Sequence, residues 1–125
     1  MLLQWAQGTV QQPADPAKRS EVKMTDDQIL KAVANRDQKV KTFEPLQPKH
    51  TYATLAEAQT AFQSERSKTI SYMETTDADM RNHFTPHPVF GTIDAYQIIL
   101  LLSSHTERHT LQMEEVMASA NFPKK

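Results

Sequence analysis

The sequence predicts an all-α fold, an antiparallel helical bundle, and three observations predict it. Only two glycines occur in 125 residues, whereas a sandwich or barrel needs frequent turn residues. Long stretches are rich in Ala, Gln, Glu, Lys, Met and Leu, which favour helices. The seven prolines punctuate the chain rather than pervade it. The length leads us to expect a single domain over residues 1–125, with 120–125 as a tail.

Each element follows from local signals. "MLLQWAQGTVQQ" (1–12) carries Leu2, Leu3, Trp5, Ala6 and Val10 at roughly helical spacing. It opens without Ser, Thr, Asp or Asn at an N-cap, so it reads as the tail of a longer helix. Residues 12–24 form a Pro-containing connection. Thr25 opens a short helix, and Asp26 and Asp27 suit the positive end of its dipole. It runs to about Asn35 through Ile29, Leu30 and Val33. Residues 39–53 are a second connection, with Pro45 and Pro48. Thr54 and Glu57 form a capping box, and a long helix to about Glu74 follows. Its apolar stripe is Leu55, Ala58, Phe62, Thr69, Tyr72 and Met73. Residues 75–84 are expected to make one helical turn from Asp77 and then exit. "TPHPVFG" (85–91) is a tight crossing, after which Thr92 is expected to cap a last helix over 93–119.

Composition excludes several function classes. The formal net charge is −1 and no basic stripe occurs, so no nucleic-acid partner is expected. The absence of cysteine excludes disulfides, thiolate metal sites and thiol nucleophiles. The N-terminus has no basic n-region of a signal peptide. The greasiest run, "IILLL" (98–102), is far shorter than the roughly 20 residues a membrane-spanning helix needs. A cytoplasmic protein without a membrane partner is therefore expected.

The candidate chemistry lies just after that run, in "SSHTERHTLQ" (103–112). A helix turns about 100° per residue, so Ile98, Gln112 and Val116 fall within roughly 20° of His105. Leu101, Leu102 and His109 fall within about 60°. Both histidines are thus expected to face the bundle interior, one turn apart. Two readings stand open: the pair offers two nitrogens to one metal ion, or each imidazole makes an ordinary buried hydrogen bond. A zincin is excluded, because position 106 is Thr where a His-Glu-x-x-His helix needs Glu. A di-iron carboxylate bundle is excluded too, since residues 102 and 106, three before each histidine, are Leu and Thr. A hydrolase with His105 as base has no support, because Ser104 lies about 100° away around the helix.

The segment "HPVFGTIDAYQIILLLSSHTERHTLQMEEV" (87–116) resembles the C-terminal part of the DinB-like family of four-helix bundles. It is similar to the subgroup with an HPxFG turn, a helix and an HxxRHxxQ motif. Upstream, "EPLQPK" and "YATLAEAQTAFQSERSKTISYMETTDADMRNHF" resemble that family's third helix and its approach. The resemblance covers nearly the whole chain from about residue 10. It implies a DinB-like bundle with a divalent metal, zinc or nickel, on three histidines. His105 and His109 match the two ligands of the last helix. The third ligand comes from the family's second helix, and here residues 1–49 contain no histidine. The family's first helix and the early part of its second have no counterpart, so the chain is expected to represent the last two thirds or so of a domain.

His50, His83 and His87 remain as candidate third ligands. His50 lies in a Pro-flanked loop and is expected to be solvated. His83 and His87 flank the crossing before the last helix, and Thr92 to His105 alone spans about 20 Å. The resemblance further implies a thiol S-transferase type of enzyme, in which the metal ionises a small thiol cosubstrate. Gln112 would orient a ligand or water, or else bond across a helix interface. Arg108 would pair with Glu107, Glu115 or another helix, and Glu114 and Glu115 would form a solvated face. The alternative is a non-catalytic helical bundle or interaction protein in which the HxxxH pair is structural or vestigial. The apolar face left by the missing helices predicts a homodimer.

Overall fold

The computed structural model describes residues 1–37, 47 and 49–123. Much of the expected second connection, including Pro45 and Pro48, and the end of the expected tail lie outside these residues. The elements run α1 (Leu2–Val10), a 3₁₀ helix (Pro16–Glu21), α2 (Asp26–Ala34), α3 (Leu55–Thr75), β1 (Phe84–His87), β2 (Gly91–Asp94) and α4 (Ala95–Met117). The chain is predominantly helical, as its composition predicts. It divides into two compact units: one holds Met1–Gln38 with Asp79–Lys125, the other Lys39–Ala78.

In the first unit, α1 and α2 both pack on α4, and α1 also touches β1. The core is Ala6, Ile29, Met80, Ile93, Ala95, Ile98 and Leu101, all buried. Ile29, Ile93 and Ile98 are fully enclosed, and each such side chain contributes roughly 1.5–3 kcal/mol by leaving water. The helix starts obey local chemistry. At α2 the Thr25 hydroxyl accepts from the Gln28 N–H at 3.2 Å, and the Gln28 side chain accepts from the Thr25 N–H at 2.8 Å. This reciprocal box satisfies two donors that a helix start leaves orphaned.

Three expectations for the region before α4 are corrected. No helical turn forms from Asp77; residues 76–79 have no regular secondary structure and the chain turns at Met80 and Arg81. The crossing is a β-hairpin, with Phe84 opposite Asp94, Thr85 opposite Ile93, Pro86 opposite Thr92 and His87 opposite Gly91. Gly91 has φ of 70°, a conformation that glycine adopts without steric cost. The cap of α4 is Asp94, not Thr92: Asp94 Oδ1 accepts from the Gln97 N–H at 2.7 Å, and Gln97 Oε1 accepts from the Asp94 N–H at 3.2 Å. Thr92 lies inside β2 and its hydroxyl donates to Glu21 at 3.3 Å. The expected connection at 12–24 also contains the 3₁₀ helix, tied down by the Asp15 N–H donating to the Asn82 carbonyl at 2.9 Å.

The second unit contains α3, capped as expected by Thr54 and Glu57. Its Thr69 is buried, and the Thr69 hydroxyl donates to the Glu65 carbonyl at 3.1 Å. Leu55 and Phe62 of the expected apolar stripe are exposed. The Arg66 guanidinium lies 5.3 Å from the centre of the Phe62 ring.

Candidate functional site

The α4 helix places His105 and His109 one turn apart, with ring centres 4.6 Å from each other and planes at 80°. Both are exposed, which corrects the expected inward orientation. The reason is length. The helices α1 and α2 have nine residues each and α4 has 23; at 1.5 Å per residue that is about 13 Å against about 34 Å. Within the first unit, the stripe containing Ile98 is core in the first half of α4 and runs on beyond α1 and α2 in the second.

The second half of α4 is nevertheless tied to α2. Arg108 donates to the Val33 carbonyl at 3.2 Å and to the Asn35 carbonyl, oxygens that a helix C-terminus leaves without intrahelical partners. Arg36 grips Glu115 through two parallel bonds of 2.9 Å, the geometry in which guanidinium and carboxylate pair best. The Glu115 contact raises the Arg36 pKa. Arg108 therefore pairs with another helix, and Glu115 is not merely solvated.

The electrostatics around His105 favour a neutral nitrogen donor. Loss of hydration, then the neighbouring His109 and Arg108, hold the His105 pKa below its ordinary value. His109 Nδ1 and Gln112 Oε1 are 2.5 Å apart. With the N–H of Nδ1 as donor, Nε2 keeps its lone pair, the arrangement that metal-binding histidines use with a supporting acceptor. Of the two roles foreseen for Gln112, the structure shows a bond within its own helix. Ser104, next to His105, is buried, and among the described residues its hydroxyl has no hydrogen-bond partner. It lies on the buried side of α4.

The other histidines do other work. His83 donates from Nδ1 to the Gln12 carbonyl at 2.8 Å. His87 accepts at Nδ1 from the N–H groups of Val89 at 3.1 Å and Phe90 at 3.2 Å. Its ring is stacked between Trp5, 5.9 Å away, and Phe90, 4.7 Å away. Burial lowers its pKa. His87 is thus the pin of the hairpin turn. His50 is exposed and belongs to the second unit. Among the described residues no three His, Cys, Asp or Glu side chains converge on a metal position. His105 and His109 fit half of a metal site, with two nitrogen donors at helical spacing.

Sequence reasoning missed a second cluster in the first unit. Asp94 is fully buried and receives Arg19 at 2.7 Å and Arg81 at 3.1 Å on one oxygen. Arg81 also clamps Asp26 at 3.1 and 2.5 Å, and its guanidinium lies 4.0 Å from the Tyr96 ring centre. Gln97 donates to the Met24 carbonyl at 3.0 Å and to Asp26 at 3.2 Å. The Arg81 bond lowers the Asp26 pKa. Arg19, Met24, Asp26, Arg81 and Gln97 line an open cleft of about 480 Å³ together with Val22 and Thr25. The two guanidiniums of the cluster are matched by two carboxylates, Asp26 in the cleft wall and the buried Asp94. The visible signal was "DAYQ" at 94–97, a capping-box spacing.

The model of the DinB superfamily matches residues 5–113. The chain belongs to the DinB superfamily. The match includes both histidines, the hairpin and the whole acid–arginine cluster, so the helical class and the family expected from "HPVFG" and "HTERHTLQ" stand. No curated protein and no solved structure matches the chain. Among the described residues of this DinB-superfamily chain, no helix is long and apolar enough to cross a membrane.

Proposed function

We propose that this DinB-superfamily protein binds a divalent metal, zinc or nickel, through His105 and His109. We also propose that it is of the thiol S-transferase type, with a small thiol as cosubstrate. The observation that carries the reading is the pair itself: two imidazoles one helical turn apart, 4.6 Å between centres, with Gln112 beside His109 Nδ1. Nitrogen donors suit zinc and nickel rather than magnesium or calcium, which prefer oxygen. A bound metal of this kind would lower the pKa of a coordinated thiol and so supply a nucleophile at neutral pH.

The residues of this chain have separate duties in that scheme. His105 and His109 bind. Gln112 holds the proton of His109 on Nδ1 and thereby fixes the tautomer. Arg108 and the Arg36–Glu115 pair hold the second half of α4 against α2, which sets where the histidines stand.

The test is metal content per chain, by inductively coupled plasma mass spectrometry on untagged protein, beside a His105→Ala/His109→Ala variant. Zinc or nickel retained in the parent and lost in the variant supports the reading, and thiol-transfer assays on the loaded protein then test the reaction class. Equal, trace metal in both would leave the pair as a structural feature of a non-catalytic bundle.

A further inference from the structure

We propose that the hairpin turn before α4 is a proton-operated latch: His87 holds the turn closed while its Nδ1 is bare, and a proton placed on that atom opens it. The latch lies wholly within the first unit and does not depend on the metal reading.

β1 ends at His87 and β2 begins at Gly91, and these two residues face each other. The loop between them is Pro88, Val89 and Phe90. Proline has no N–H, which leaves the loop two backbone donors. Both are aimed at one atom: His87 Nδ1 accepts from the Val89 N–H at 3.1 Å and from the Phe90 N–H at 3.2 Å. A nitrogen that receives two N–H groups carries no hydrogen of its own, so the neutral ring has its proton on Nε2. The lone pair that would take a second proton is therefore the one that holds the loop. Protonation turns the acceptor into a donor facing two donors, and both bonds are lost together.

His83, four residues earlier, has the opposite arrangement. Its Nδ1 meets the Gln12 carbonyl at 2.8 Å, so Nδ1 is the donor and Nε2 is bare. A proton added to His83 goes to Nε2 and leaves that bond in place. Of the two histidines of this ribbon, His87 is the one whose charge and hydrogen bonds compete for the same atom.

The aromatic stack decides which part moves. The His87 ring lies between Trp5, at 5.9 Å and 24°, and Phe90, at 4.7 Å and 17°. Trp5 belongs to α1, which packs along α4, whereas Phe90 is carried by the loop itself. A cation over an indole face is attracted to it, so the charged ring keeps its seat on Trp5 and the loop gives way. The far end of the ribbon is secured separately, by Arg19 and Arg81 on Asp94.

Few charges face the ring. No side chain of α1 (Leu2–Val10) titrates, and the Met1 amino group stands one turn before Trp5. β2 contributes Asp94, opposite Phe84 at the far end. Glu21 reaches the ribbon through the Thr92 hydroxyl, opposite Pro86. Burial lowers the His87 pKa, so the turn stays closed at neutral pH and opens on acidification below the ordinary histidine value of about 6.5.

The experiment is nuclear magnetic resonance of the nitrogen-15-labelled full chain, from pH 8 down through the midpoint of the His87 ring titration. It reads the ring nitrogen shifts of His87 and the amide exchange of Val89 and Phe90, corrected for the intrinsic effect of pH. The expected result is a ring protonated on Nε2 alone at pH 8. Protection at Val89 and Phe90 then falls by at least about tenfold with the midpoint of the ring, while Ile98 and Leu101 in α4 keep theirs. His87→Asn keeps an oxygen that accepts from the N–H two residues on and does not titrate, so Val89 is equally protected across the range. His87→Phe keeps a ring for the stack but no acceptor, and leaves both amides unprotected throughout. A neutral ring with its proton on Nδ1 overturns the proposal, and so does protection at Val89 and Phe90 that ignores the ring titration. Loss of protection in α4 at the same midpoint also overturns it, because the proton would then unfold the unit rather than open the turn.

Discussion

Replacing Asp94 separates the two things that side chain does: it caps α4, and it neutralises two arginines. Losing an N-cap aspartate to alanine costs about 1 kcal/mol. Breaking a buried ion pair by removing one partner costs about 3–5 kcal/mol when the remaining charge is trapped. Here the remaining charges are not trapped, since the Arg19 and Arg81 side chains keep 40% and 44% exposure while Asp94 has none. Their ability to turn toward water brings that cost to about 2 kcal/mol. Asp94→Ala is therefore expected to destabilise the first unit by about 3 kcal/mol, and Asp94→Asn, which keeps a capping oxygen, by about 2 kcal/mol. Urea unfolding followed by tryptophan fluorescence reads this directly. Trp5 is the sole tryptophan in the sequence and stacks on His87 within the same unit. A loss below about 1 kcal/mol for Asp94→Ala would refute the ion-pair reasoning, and identical losses for Ala and Asn would refute the cap.

Ser104→Ala removes a buried hydroxyl that has no partner among the described residues and is expected to stabilise by about 1 kcal/mol, read as a raised urea midpoint. Arg108→Ala strips the bonds to the Val33 and Asn35 carbonyls and is expected to cost about 1–2 kcal/mol; hydrogen exchange at the C-terminal end of α2 should rise with it. His87 has a folded pKa lowered by burial, so the unfolded chain takes up its proton first on acidification. Stability from this group is complete above pH of about 6.5 and is lost as pH falls through that value; a urea-midpoint series from pH 8 to 5 should flatten in His87→Phe relative to the parent. Asp26 has a folded pKa lowered chiefly by Arg81. Its contribution is present above the ordinary carboxylate value of about 3.9 and is lost as pH falls further toward the lowered one. Arg81→Met should remove that part of the acid transition.

What could be read from the sequence was what short-range chemistry decides. Thr25 opens α2 and Thr54 with Glu57 boxes the start of α3, as expected, because a helix start needs only residues a few positions apart; that Gln28 completes a second box at Thr25 was overlooked. The start of α4 was misplaced by two residues because Gly91-Thr92 and "DAYQ" both look like starts, and only pairing with β1 decides between them. The hairpin itself was hidden. Four-residue strands are too short to show alternation, and Pro86 and Pro88 argue against a strand. In a two-stranded ribbon both strands are edges, so Pro86 is tolerated opposite Thr92. The Asp26–Arg81 clamp joins residues 55 apart, and no local pattern reports such a pairing. The exposure of His105 and His109 was misjudged for the same reason: helical angle says which residues share a face, not where the covering helices stop.

The hairpin and the acid–arginine cluster give the histidine pair its setting, although neither touches it. The cap at Asp94 fixes where α4 begins, and Arg19 and Arg81 fix Asp94 to the 3₁₀ segment and to α2. Farther along, Arg108 and Arg36–Glu115 bind the same α2 at its other end. A helix secured to one neighbour at two places cannot slide by a turn, about 5.4 Å, without breaking both sets of contacts. These polar contacts of the first unit thus hold α4 in one axial register on α2. That register goes with a buried Ser104 and an exposed His105 and His109.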